Sequence, residues 1–185
     1  MATSETTKVV RRELERACKD FAARVESLSF LRTKKMFWTR RHPLTVDFIH
    51  FHRGGISYGA PINYSVDIRI HLGIRVLNHA LDFAALNGPH SNEARFINHR
   101  YHLRFNAKTG STYDRCVDDL VRFVEEQGVP WFQRFADLDE LLTTSDSPLE
   151  SEEKEFLEAA RAGHANPENE AVSLKILGIK SKTQK

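Results

Sequence analysis

From Tyr64 to Arg75 the chain reads Tyr-Ser-Val-Asp-Ile-Arg-Ile-His-Leu-Gly-Ile-Arg, with an apolar residue at every even position and a polar residue or glycine at every odd one. Successive side chains on a strand point to opposite faces, so a period of two specifies a strand with one buried and one wet face. A helix would scatter the same residues around its circumference. The pattern predicts a strand over 64–76 whose wet face presents Asp67, Arg69, His71 and Arg75 in a row.

The segments around it follow other periods. Val10, Leu14, Ala17, Phe21, Val25 and Leu28 recur every three or four residues, which predicts an amphipathic helix from Thr7 to about Ser27. Residues 30–41 suit a first strand, broken by His42-Pro43. Residues 45–53 suit a second, with Phe48-Ile49-His50-Phe51 apolar on both sides, so the direction of His50 and His52 stays open. Arg53 to Pro61 is a loop by its glycine and proline content. Residues 77–87 read equally as a short helix or an irregular excursion, and Asn87-Gly88-Pro89-His90 is a break. Residues 96–105 suit a fourth strand, with Asn98, Arg100, His102 and Arg104 on one side.

Beyond it the periodicity is helical. One helix is expected from Asp114 to Gln127, stopped by Gly128. Val129-Pro130-Trp131-Phe132 reads as a bend; Trp131, Phe132 and Phe135 are expected to plug the core, the alternative being an exposed aromatic anchor for a partner. Ser147-Pro148-Leu149-Glu150 matches a capping box. Asn166-Pro167 opens a last helix that Gly178 ends. Strands grouped between helices predict an α+β domain: an N-terminal helix, an antiparallel sheet of about four strands, and C-terminal helices on one sheet face. The expected organisation is one domain over 1–145, a packed helical extension over 146–179 and a frayed basic tail over 180–185.

The net charge is only +2, but it is unevenly spread. Residues 30–105 hold 11 Lys/Arg against 4 Asp/Glu and eight of the nine histidines, whereas residues 106–185 hold 10 against 16. A basic segment attracts anions unless the acidic half packs beside it and cancels its field. The two cysteines have neither disulfide-framework nor zinc spacing, and no stretch is long and apolar enough for a membrane span. A soluble protein of a reducing cytoplasm, with no membrane contact, is expected.

The polar face of the sheet is the leading candidate site: Asp67, Arg69, His71 and Arg75 from one strand, with Arg100, His102 and Arg104 from its neighbour, form an anion-binding surface if the two strands pair. His50-x-His52 puts two imidazoles on one strand face, the start of a metal site that lacks an evident third ligand. Cys116 lies on an apolar stripe and reads as core. Arg53-Gly54-Gly55 and Gly59 fit no phosphate loop or dinucleotide fingerprint, so no cofactor is expected.

Four segments carry a resemblance: Phe30 with Lys34-Lys35-Met36-Phe37-Trp38-Thr39-Arg40; Phe48-Ile49-His50-Phe51-His52; Tyr64 to Ile74; and Val129-Pro130-Trp131-Phe132-Gln133-Arg134-Phe135-Ala136-Asp137-Leu138. In this order they resemble the bacterial domain-of-unknown-function family 4304 over about residues 8–145. The resemblance implies a small cytoplasmic accessory protein linked to immunity or defence, and brings no catalytic residues. The leading expectation is a non-catalytic protein that engages a protein partner, with Asp137, Asp139, Glu140, Glu152 and Glu153 as an acidic surface for a basic partner. The alternatives are a nucleic-acid-binding protein that uses the basic sheet, and a histidine-based metal-dependent hydrolase or nuclease.

Overall fold

The computed structural model describes residues 5–54, 64–93 and 100–180. Helix α1 (Glu5–Val25) buries Val10, Leu14, Ala17, Cys18, Phe21 and Val25, the stripe set by its spacing. A five-stranded antiparallel sheet follows in the order β1 (Leu31–Lys34), β2 (Phe37–Arg41), β3 (Thr45–Arg53), β4 (Ser65–Val76) and β5 (Arg104–Asn106). The fold is therefore α+β with an N-terminal helix, an antiparallel sheet and C-terminal helices. It has five strands rather than four because residues 30–41 form a hairpin. The reversal at Lys35-Met36 carries no glycine or proline signal. Arg32 holds it by donating to the Lys35 carbonyl from Nε at 3.0 Å.

The expected fourth strand is mostly not one. Residues 96–99 lie outside the described residues, residues 100–103 are irregular, and only Arg104–Asn106 pair with β4. The first-face core lies between the sheet and α1, where Phe21, Trp38 and Phe51 pack with ring centroids 4.5–4.8 Å apart. Helix α2 (Tyr113–Phe123) closes the same side with Cys116, Leu120 and Phe123, all fully buried. Gly128 does not end this helix. A π turn over Val124–Gly128 carries it directly into α3 (Val129–Arg134), where Phe132 plugs the core. Helix α4 (Leu138–Thr143) adds Leu141. Helix α5 (Ser151–Arg161) is capped by a Glu150/Glu153 box, three residues later than the Ser147 signal, and adds Leu157.

Helix α6 (Pro167–Leu177), capped by Asn166 and ended by Gly178 in the left-handed region (φ 70°), goes to the other sheet face. There Leu174 and Leu177 form a second core with Val46, Phe48 and Leu77. The helices thus cover both faces, not one. No helix among the described residues is long and apolar enough to cross a membrane.

Candidate functional site

The register of β3 on β4 decides what the second face displays. Val46 faces Arg75, Phe48 faces Gly73, His50 faces His71, and His52 faces Arg69. Even residues of β3 and odd residues of β4 therefore share this face. One end is covered. Phe48 stacks on Phe37 with centroids 5.0 Å apart and lies over Gly73, where any Cβ would run into its ring. Arg75 is only 1% exposed. It does not belong to an open surface, contrary to the expectation from alternation. Its guanidinium donates to Ser173 Oγ (3.1 Å) and to the carbonyls of Phe83 (2.7 Å), His79 (2.8 Å) and Leu81 (2.6 Å). The residue thus clasps the irregular segment 77–88 and α6 onto the sheet.

Asn87 continues the clasp by exchanging two hydrogen bonds with the Ile74 backbone, and Gly88 N donates to Leu72 O at 3.0 Å. The Trp131 ring occupies the space a Gly88 side chain would need. Segment 77–88 is an excursion, not a helix, and its inner edge is pinned. Its outer edge is apolar: Leu81 is 37% exposed, Phe83 55% and Leu86 48%; Val172 of α6 is 37% exposed. Sequence reading missed this patch. The signal was Leu81-x-Phe83-x-x-Leu86 in a segment without a clear period.

The other end of the second face is open. His50, His52, His71 and His90 cluster there: the His71 ring centroid is 6.4 Å from His50, 6.5 Å from His52 and 5.5 Å from His90. His90, read in the sequence only as part of a break, reaches the cluster through a bridge to His71. Burial and the neighbours His90, His50, His52 and Arg69 push the His71 pKa down to about 4. Burial, then His52, lowers that of His50. Among the described residues no three His, Cys, Asp or Glu side chains stand together in a geometry that holds a metal ion.

Asp67 and Arg69 lie on this open floor. Arg104 faces Asp67 across the strands, with Nη2 3.9 Å from Oδ2. Ser65, His102 and Arg104 line one small cleft. Arg100 is not on the floor, because it pairs with Glu126 (2.9 Å) beside α2. Other cations of the basic segment are also paired: Arg32 with Glu15 (2.8 and 2.9 Å), Arg40 with the buried Asp47 (2.8 Å), Arg41 with Glu170 (2.7 Å). Arg100–Glu126 and Arg41–Glu170 join the basic segment to the acidic half, while Arg32 and Arg40 are neutralised by Glu15 of α1 and Asp47 of β3. The acidic surface is largely engaged too. Asp139 pairs with Arg161 (2.5 Å), Asp137 caps α4, and Glu153 is buried in its own capping box.

Both cysteines are core residues. Burial pushes the Cys116 thiol up to about 12 and the Cys18 thiol up to about 11, which leaves no thiolate for nucleophilic attack at neutral pH. Residues 55–63, which include most of the expected loop from Arg53 to Pro61, and His99 lie outside the described residues. The chain matches no protein-family model, and no curated protein or solved structure is significantly similar to it.

Proposed function

We propose that the protein is a non-catalytic binding module that engages a protein partner through the patch of Leu81, Phe83, Leu86 and Val172. One observation carries this reading. Leu81, Phe83 and Leu86 are exposed on one short segment whose inner edge is fastened by a buried arginine, and that arginine also holds Ser173, the neighbour of the exposed Val172. Exposed apolar residues that cluster on a pinned segment mark an interaction surface, because a rigid patch loses little entropy when it docks. Single exposed residues such as Leu31 carry no such meaning. The resemblance to the domain-of-unknown-function family 4304 supports an accessory role, and immunity or defence is the setting we propose for it.

The test is co-purification from the native host with the unaltered protein and with a Phe83→Asp/Leu86→Asp variant. Both side chains are exposed, so the variant is expected to keep its melting temperature. A specific partner should be retained by the unaltered protein and lost by the variant, with affinity falling roughly thirtyfold or more for two anchor residues. Recovery of the same proteins by both would refute the assignment.

A further inference from the structure

The open half of the second sheet face holds a set of hydrogen-bond donors that the protein itself does not use. The ring nitrogens of His50, His52, His71 and His90 have no hydrogen-bond partner among the described residues. Two of them, His50 Nδ1 and His90 Nδ1, are also closed off from solvent. His102 Nε2, at the neighbouring cleft, is in the same condition. A buried polar atom without a partner carries a desolvation cost that a ligand relieves. Arg69 has no ion-pair partner among the described residues, and the Arg104 side chain is 69% exposed, with only a long contact to Asp67.

We propose that this floor binds a small phosphate-class oxyanion, held by Arg69 with the imidazoles of His50, His71 and His90.

The histidine cluster is not assembled as a metal site: among the described residues no three His, Cys, Asp or Glu side chains stand together in metal-holding geometry. The His71 ring lies 5.5–6.5 Å, centroid to centroid, from those of His90, His50 and His52, and a tetrahedral anion between them accepts N–H bonds from more than one side. The local field agrees. Besides burial, His71 is discouraged from taking a proton by His50 and His52 of β3, by His90 of the segment bridged to it, and by Arg69 on its own strand. A bound anion offsets these interactions by favouring the protonated ring. Two carboxylates lie nearby. Asp67 sits between Arg69 and Arg104, with Oδ1 and Arg69 Nε 2.6 and 2.9 Å from the point a Cβ at Gly54 would occupy. Glu93 accepts a hydrogen bond from the His90 backbone N–H at 3.0 Å.

The experiment follows histidine ring signals by NMR while inorganic phosphate, a nucleoside monophosphate, acetate or zinc chloride is added. Phosphate should shift the His71 and His50 signals saturably and raise the His71 titration midpoint, whereas acetate should not. A terminal phosphate that binds more tightly than inorganic phosphate identifies a nucleotide as the source. Equal binding identifies the free ion. Arg69→Gln and His71→Gln should each weaken phosphate roughly tenfold or more, as expected for loss of one charge-assisted bond or one buried donor. Thermal melts confirm that both variants fold. The proposal is overturned by non-saturable phosphate shifts, by unchanged affinity in both variants, or by stoichiometric zinc binding with no phosphate effect.

Discussion

Arg75 occupies a polar position of an alternating strand and yet is sealed inside the molecule, with all three guanidinium nitrogens donating. The chain hides a charged group there because four acceptors, three of them carbonyls of a segment without regular structure, would otherwise be short of partners. Arg75→Met is expected to cost about 3 kcal/mol or more, since it orphans buried carbonyls that a thioether cannot satisfy. Urea unfolding at neutral pH measures this. Arg75→Lys should recover only part of the loss, because an ammonium lacks the planar fork. Nothing local in the sequence distinguishes Arg75 from Arg69. Both sit at odd positions of one strand, and only what packs above them differs.

At the scale of elements, the pairing of β3 with β4 stacks histidines across strands, and this makes the sheet sensitive to acid. The folded-state pKa of His71 is about 4, below the ordinary value of about 6.5. Between those values the unfolded chain binds a proton that the folded chain refuses, so stability falls as pH drops through that window. His50, also lowered, adds in the same direction. Glu153, raised by burial, works weakly against it just above its ordinary value. The His71 contribution is expected to be about 1–2 kcal/mol between about pH 7 and pH 4.5, less than full linkage because the ring is partly open to solvent. Urea midpoints across that range should fall more steeply for the native protein than for His71→Gln. Equal slopes would remove His71 as the cause. The alternation made β4 legible, and His50-x-His52 marked two members of the cluster. Which way that pair points was not legible, because β3 is apolar on both sides at its centre and both sheet faces carry a core.

At the scale of the whole molecule, α5 and α6 are parts of the core rather than riders on a finished domain. Leu157 joins the first core, while Leu174 and Leu177 complete the second over Val46, Phe48 and Leu77. Asn78 joins both helices to the sheet end: it donates to Phe156 O at 2.9 Å and accepts from Asn166 N at 2.7 Å and Asn169 Nδ2 at 2.7 Å. Leu177→Ala should therefore cost about 2–4 kcal/mol. A chain ended at residue 146 should lose its cooperative transition, because it uncovers Phe48 and leaves Arg75 without Ser173. Calorimetry of the intact chain should give one transition. A truncated chain that unfolds cooperatively near the native temperature would show the sheet to be independent of these helices.

The sequence by itself determined those features that depend on near neighbours: the strand Ser65–Val76 from its period of two, α1 from its stripe, and the limits of α6 from Asn166 and Gly178. Tertiary structure alone decided which polar positions stay wet, which cations are neutralised, and that His90 completes the histidine cluster. The physical reason is that periodicity arises from the chain's own repeat, whereas burial and charge pairing depend on which distant segment arrives. Arg75 lies 98 residues from the serine that helps to hold it.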